Sequence, residues 1–531
     1  MILGLEQRRR RIALLLISAL IAGGIVTWRS LTSRDGLLYR PKAAGGAFLV
    51  APYVQLGALP PTGSDTDNAR ESLTIHWQAD DQEARWAVES RSSPKDPWRA
   101  EPDPTWRRDP RQTMGPRRFY RGELANLDPG ARVDYRVKRN GVAQFEATAQ
   151  ARKSKGQPHR FVAFGDGGAD SWEQMAIAYR IALARPDYVM VAGDIVYYKG
   201  RLSEYLDKFF PIYNSDRLGS TSGAPLLRSI PMMVAPGNHD LIERNLERYP
   251  DALAYFLVWS LPLNGPLRTP GQRNSPVLSG SPANREAFLE LARDTYPRMA
   301  NYSFDYGDVH WTVLDTNIYA DWNDPVLSAW LEADLTSARD ARWRILVCHQ
   351  PPFHSSGSHA GEQQTRILAE RLQKHGVDLV ISGHIHNYQR TRPLRFTPEI
   401  AHDTRPLLER GIVKGQFTLD KTYDGITQTR PDGIIYLVTG AGGARLYDTD
   451  QHGDTSTLED FTVRFVSNVH SMTVVDVEPD RLSARQIDMK GNEVDRFILT
   501  KPPKALSPPG QTSSEPTTGS SSAPPPSTPL K

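Results

Sequence analysis

The chain has 531 residues, 39% apolar and 24% charged, which is ordinary globular material in sufficient quantity for several domains with sizeable cores. Its formal net charge of +3 is close to neutral for that length, and no strongly basic run lies inside the body, so no nucleic acid is expected as a partner. The lone cysteine, Cys348, excludes an intramolecular disulfide.

At the N-terminus Arg8 to Arg11 precede an almost unbroken apolar run from Ile12 to Trp28. A positive flank before such a run predicts an export signal peptide or an uncleaved, transmembrane signal anchor over residues 1–30, with residues 31–48 as a linker. The run is at the short limit for a bilayer span, and no clear small-x-small cleavage site follows, so the anchor reading leads. Positive charge on the inner side then predicts an extracytoplasmic body, membrane-anchored or secreted and periplasmic, with the membrane as a partner through this segment.

Residues 49–152 read as short strands. Ser72–Gln78 alternates, with Leu73, Ile75 and Trp77 on one face and Thr74 and His76 on the other, and Val133, Tyr135 and Val137 repeat the pattern. Pro129-Gly130 and Asn140-Gly141 supply turns, and no capped helical stretch appears, so an all-β sandwich is predicted. The stretch Leu127-Asp-Pro-Gly-Ala-Arg-Val-Asp-Tyr135 resembles the late strands of a fibronectin type III domain.

After a charged boundary at Ala151–His159 the pattern becomes βα alternation over residues 157–500. Apolar strand-like runs fall at Phe161–Phe164, Tyr188–Ala192, Met232–Ala235, Val309–Leu314, Ile345–Cys348, Val377–Ile381 and Ile434–Thr439. Helices are predicted at Trp172–Ala184, Val326–Leu335 and Glu362–His375, which together argue for a layered α/β domain. Asn245–Arg298 and Phe396–Arg430 read as excursions that line a rim or decorate the surface. From Lys501 to residue 531 the chain is rich in Pro, Ser and Thr and is expected to be disordered.

Polar chemistry is concentrated where the strands end: Gly165-Asp166-Gly-Gly168, Gly193-Asp194-Ile-Val-Tyr197, Gly237-Asn238-His239-Asp240, then His349, then Gly383-His384-Ile-His386. The carboxyl ends of neighbouring strands converge on one crevice, so residues far apart in sequence can meet there. Carboxylates, imidazoles and a phenol together suit borderline transition metals rather than calcium.

In this order, GDGG, GDIVY, GNHD, CHQPPFH and GHIHNYQR resemble the calcineurin-like metallophosphoesterases, and within them the purple acid phosphatase branch. The resemblance covers about 158–480. It implies an α/β fold, a layered β-sandwich metallophosphoesterase core with helices outside, preceded by a small all-β, fibronectin type III-like sandwich domain. It also implies two metal ions, Fe(III) plus a divalent Fe, Zn or Mn. Asp166, Tyr197 and His386 would hold the first, Asn238, His349 and His384 the second, with Asp194 bridging both. Spacing from Asp194 selects Tyr197 over Tyr198, and a phenolate there is what implies iron.

The implied activity is acid phosphatase activity on small phosphorylated substrates: in-line attack of metal-bound hydroxide on a phosphate monoester. By the same resemblance His239 faces the phosphate, Asp240 orients its ring, and His359 or His354 protonates the leaving group. The chain's own loop Gln350–Phe353 and Ser355–Ser358 departs from the family at that last point.

Other residues read more plainly. Asp315 is expected to be a structural turn, Cys348 a small buried side chain, and Gly440–Gly443 an active-site or structural loop. Arg390 and Arg445 are candidates to approach substrate or to be surface arginines. Two rival functions remain: a phosphodiesterase or nucleotide-cleaving enzyme of the same superfamily, for which Trp322 and Tyr319 would be rim aromatics, and a non-catalytic surface protein, which a lost ligand would mark.

Overall fold

The alternation at Ser72–Gln78 lies in a strand, Glu71–Asp80, which buries Leu73, Ile75 and Trp77. In the computed structural model, which describes residues 46–57, 70–111, 114–266, 274–399 and 411–503, this strand pairs antiparallel with Val50–Gln55 and Arg117–Leu127. Thr105–Arg108 completes a four-stranded sheet. A second sheet, in the order Arg99–Ala100, Trp86–Arg91, Arg132–Arg139, Val142–Gln150, packs on it through Trp77, Trp86 and Tyr120. Trp77 and Tyr120 stack with centroids 5.2 Å apart. Asn140 and Gly141, both at positive φ (52° and 84°), make the hairpin turn that the Asn-Gly pair predicts.

The other face of Glu71–Asp80 is not left to solvent. Tyr53 stacks on His76, the Tyr53 hydroxyl donates to the carbonyl of Val258 at 2.7 Å, and Gln55 donates to the same oxygen at 2.9 Å. The excursion after Asn245 is therefore the seam between the sandwich and the rest of the chain, not only rim or decoration.

Apolar runs with little alternation become strands buried on both faces. His159–Phe164, Tyr188–Val191 and Met232–Val234 run parallel, and Ser471–Glu478, Arg481–Asp488 and Glu493–Thr500 extend them antiparallel into a six-stranded sheet. The second sheet has seven strands in the order Tyr302–Tyr306, Val309–Leu314, Trp343–Cys348, Leu379–Ser382, Ile435–Thr439, Tyr388–Thr391, Thr462–Val466. Its second to fifth strands are parallel. The sheets share one core, where Phe161 meets Trp311 edge-on at 4.9 Å and the Trp311 indole donates to the Tyr188 hydroxyl.

Helix Trp172–Ala184, capped by the Ser171 hydroxyl, packs on the six-stranded sheet. Pro325–Ser337, capped by Asp324, and Ala369–Lys374 cover the seven-stranded one through Leu327, Leu331, Leu335 and Leu372 against Leu346 and Val380. The result is an α/β core of sheets flanked by helices, with a small β-sandwich before it. The helix predicted over Glu362–His375 is shorter than expected: a 3₁₀ turn, Gln364–Leu368, precedes Ala369–Lys374. Thr365 and Arg366 donate to the carbonyls of Gln350 and Pro352, which ties the start of this segment to the loop after His349.

The predicted signal or transmembrane segment is corrected here. No helix among the described residues is long and apolar enough to cross a membrane, and residues 1–30, on which that expectation rested, lie outside them. The signal and anchor assignments, the membrane partner and the extracytoplasmic location inferred from them are withdrawn. Residues 504–531, the bulk of the tail expected to be disordered, also lie outside the described residues.

Candidate metal centre

Three parallel strands of the first sheet end just before Asp166, Asp194 and Asn238, and two of the second end before His349 and His384, so all five loops open on one side. The sequence places a glycine before four of these five. Gly193 takes positive φ (84°), and the ligands Asp166, Asp194 and His384 themselves also take left-handed backbone, at φ 60°, 49° and 68°. Such conformations cost about 1–3 kcal/mol each in a residue with a Cβ and are concentrated at functional sites. At Gly237 the reason for glycine is approach rather than φ: a Cβ there would lie 2.1 Å from the Asp194 amide nitrogen and Oδ1.

Backbone N–H groups fix the carboxylates. His239 N–H donates to Asp194 Oδ1 and His384 N–H donates to Asp166 Oδ2, both at 2.8 Å. Around them the side chains of Tyr197, Asn238, His349, His384 and His386 lie close together. The Tyr197 hydroxyl lies 3.0 Å from Asp166 Oδ1 and 2.9 Å from His386 Nε2. Asn238 Oδ1 lies 3.0 Å from both His349 Nε2 and His384 Nδ1. Asp194 Oδ1 is 3.3 Å from His349 Nε2, and Asp166, Asp194 and His349 together offer atoms close enough to hold one ion.

The far nitrogen of each imidazole decides whether a metal fits. His349 Nδ1 donates to Ala192 O at 2.8 Å, His386 Nδ1 to Arg445 O at 2.7 Å, and His384 Nε2 to Glu362 Oε2 at 2.9 Å. Each ring thus spends its N–H outward and turns a lone pair inward, toward carboxylate and amide oxygens that are also acceptors. Inward lone pairs gathered in a buried site favour positive charge among them, from a bound cation or a proton. Burial alone would lower the pKa of His349, but Asp194 and then Asp166 outweigh it and push the value to about 10. The carboxylates therefore favour positive charge at that position, which a metal supplies. Burial, then Asp166 and Asp194, drive the Tyr197 phenol well above its ordinary range. A second group, His359, Glu362 and His384, is also compact enough for an ion, and the two groups together indicate a binuclear centre.

The outer groups only partly follow expectation. His239 is half-buried, its Nδ1 is held by the Tyr198 carbonyl at 2.9 Å and its ring lies 4.7 Å from that of Tyr197. Asp240 does not orient His239. Its carboxylate accepts the backbone N–H groups of Gly237, Ile195 and Val196, so it braces the two ligand loops against each other. His359 packs 4.4 Å from the His384 ring, and its Nδ1 donates to Glu362 Oε1 at 2.9 Å. His354 is buried with its Nδ1 unpartnered, and burial with Arg366 pulls its pKa to about 3, which does not suit a proton donor.

Sequence reasoning missed Glu362, which joins His384 to His359. The only cue was a glutamate three residues beyond a candidate histidine. It also missed Tyr447, stacked on His386 at 3.9 Å, and Tyr198, 65% exposed beside His239. These are the aromatics around the site. Trp322 is buried and bonded to Asp315 O, and the Tyr319 hydroxyl is held by Asp315 Oδ2. Asp315 is the buried turn expected, Cys348 is buried, and Arg390 is locked to Asp495 at 2.7 Å, away from any substrate role. The Gly440–Gly443 loop abuts the centre: Ala444 N–H donates to the Asp166 carbonyl, and a Cβ on Gly440 would meet Asp166 Oδ2.

Comparison with known proteins is consistent with this geometry. The sequence model of the calcineurin-like phosphoesterases matches residues 159–388. "Probable inactive purple acid phosphatase 1" of Arabidopsis thaliana is 24% identical over 426 residues, 74% of this chain and 60% of the relative. Purple acid phosphatase 23 of the same plant is 25% identical over 291 residues, 50% of this chain and 56% of the relative. Both alignments span less than two thirds of those relatives' length. Purple acid phosphatase PPD1 from yellow lupin (Lupinus luteus) seeds shares the fold with a TM-score of 0.55 at 18% identity, over 85% of this chain and 74% of that one.

Proposed function

Since the chain carries a calcineurin-like metallophosphoesterase domain homologous to several purple acid phosphatases, we propose that it is a two-metal hydrolase of phosphate monoesters. The observation that carries this reading is the inward convergence of lone pairs from Asp166, Asp194, Tyr197, Asn238, His349, His384 and His386 on one side of the sheets. A degenerate fold would be expected to have lost a ligand, and none is missing. Asp166, Tyr197 and His386 would hold one ion and Asn238, His349 and His384 the other, with Asp194 between them. Bound there, two metals would supply an activated water and positive charge for a phosphoryl group.

The protein's own part is to hold, screen and protonate. His239, tethered by the Tyr198 carbonyl beside Tyr197, would bond a phosphoryl oxygen, and Asp240 keeps its loop in place. His359, half-exposed and oriented by Glu362, is the better proton donor for the leaving group, ahead of His354. The Tyr197 hydroxyl, 3.0 Å from Asp166 Oδ1 and 2.9 Å from His386 Nε2, would as a phenolate give a hard oxygen donor suited to Fe(III), with Fe, Zn or Mn as partner. We read residues 49–152 as a fibronectin type III-like domain, on the Leu127–Tyr135 stretch and the two packed sheets, and residues 157–500 as the catalytic domain.

The test is to purify the full chain with its native metals and record metal content, visible spectrum and hydrolysis of p-nitrophenyl phosphate. Two metals per chain, phosphatase activity, and a visible band lost in Tyr197→Phe while iron stays bound are expected. A colourless, active protein with two divalent ions would overturn the iron assignment alone. A chain that binds no metal, or binds two and hydrolyses no phosphate ester, would overturn the function.

A further inference from the structure

Between the sandwich and the core lies a cavity of about 350 Å³ that shares no residue with the metal centre. That size suits a small organic ligand. Its wall from the sandwich is the face of Glu71–Asp80 that the alternation marks as polar. His76 sits opposite Arg121 on Arg117–Leu127, and Arg121 sits opposite Thr105 on Thr105–Arg108, two residues before Arg107. The wall from the core is apolar: Phe256, Leu257, Trp259, Leu261, Leu263 and Leu291.

Charge in this cavity is unbalanced. Arg107, Arg121 and Arg293 line it against a single carboxylate, Asp294. Arg107 reaches a partner, donating to Leu291 O at 2.7 Å. Among the described residues Arg121 and Arg293, both exposed at the mouth, have no ion-pair partner. His76 relieves none of this: its Nε2 is buried and unpartnered, and burial with Arg121 and Arg107 lowers its pKa to about 3, so the ring is neutral. Burial, then Arg293 and Arg121, also lower the pKa of Arg107, and Asp294 only partly offsets them.

We propose that this seam cavity binds an amphipathic organic anion, an aromatic or aliphatic body against Phe256, Trp259 and the leucines with its sulfonate, carboxylate or phosphate met by Arg107, Arg121 and Arg293. The ligand touches both domains, so its binding couples them. The proposal is independent of the chemistry at the metal centre.

Naphthalene-2-sulfonate is the probe, titrated calorimetrically into the full metal-loaded chain and into an Arg121→Gln/Arg293→Gln double variant. Far-UV circular dichroism and the unfolding midpoint, expected to be the same in both, show that the variant is folded. One equivalent should bind the native chain, and the variant should bind it roughly tenfold or more weakly, as loss of charge-assisted hydrogen bonds implies. Equal affinity in the two proteins, or no saturable binding to the native chain, would overturn the site. Inorganic sulfate and neutral 2-naphthol should each show no comparable difference between the two proteins. If sulfate alone reproduces it, the amphipathic class is wrong.

Discussion

Two buried clusters of imidazole and carboxylate stand at opposite ends of the parallel strands, and they are built on opposite principles. Near the start of Val309–Leu314, His310 lies fully buried with Nδ1 2.8 Å from Asp305 Oδ1 and Nε2 3.2 Å from Asp334 Oδ2. Thr312 adds a hydrogen bond to the same Asp334 oxygen at 2.8 Å. Burial works against the charged ring, but the two carboxylates win and raise its pKa to about 9. Every group in this cluster is satisfied from within, and it ties helix Pro325–Ser337 to the sheet. At the other end His349, His384 and His386 each spend one nitrogen on the protein and leave the other facing oxygen acceptors. The same residue types are complete in one place and incomplete in the other, and the incomplete one is where a ligand belongs.

This contrast is tested by breaking each cluster in turn. Asp194→Asn removes the carboxylate proposed to stand between the two ions. Activity should fall by well over the roughly 100-fold that changes behind the ligands cost, and bound metal should drop below two per chain. The unfolding midpoint of the metal-free protein should hold or rise, because one of several crowded negative groups has gone. Metal content and hydrolysis that match the native chain would show that Asp194 is not a ligand.

His310→Ala should do the reverse. Leaving Asp334 buried and Asp305 half-buried without their cation costs on the order of 3 kcal/mol in denaturant unfolding, while metal content and activity per folded molecule stay the same. The pH dependence follows with a definite sign. The folded pKa, about 9, lies above the unfolded value near 6.5. The stabilisation is therefore fully present below about pH 6.5 and is lost as pH rises through about 9, a change on the order of 3 kcal/mol. In His310→Ala that slope should vanish. A native profile already flat across this window would mean the ring is neutral in the folded state.

How much of this was legible in the sequence depended on whether backbone or side-chain packing set the position. The ligands could be read because each follows an apolar strand, and strand ends converge whatever the loops do. The residues read as ligands therefore lie near one another, although the compact group His359, Glu362 and His384 was not foreseen. Asp240 was misassigned because its neighbour in sequence, His239, turns away once a short helical turn begins at Asn238, and only the fold shows its carboxylate facing the Asp194 loop. Trp322 and Tyr319 were named only as rim aromatics for a nucleotide substrate under the rival reading, and Asp315 bonds both. The polar face of Glu71–Asp80 was read correctly as distinct from the sandwich core, but alternation cannot say that another domain covers it. His310 left no sequence signal, because its second carboxylate comes from a helix rather than from the neighbouring strand.

Glu362 gives the finest test, since it stands between the two kinds of cluster. It satisfies His384 and His359 as Asp305 and Asp334 satisfy His310, yet one of its two histidines also faces the metal side. A purely structural carboxylate would cost stability when changed, whereas one that sets a ligand's proton position would cost function. Glu362→Gln keeps the shape but removes the charge and one of the two acceptor oxygens, so His384 and His359 must share the one that remains and the outward N–H of His384 is no longer secured. A roughly 10–100-fold loss of metal affinity or activity is expected, with unfolding free energy changed by no more than about 1 kcal/mol. Restoration of a carboxylate in Glu362→Asp should recover part of the loss. If instead the glutamine variant unfolds readily and retains full activity per folded molecule, Glu362 belongs with the structural cluster at the far end of the strands.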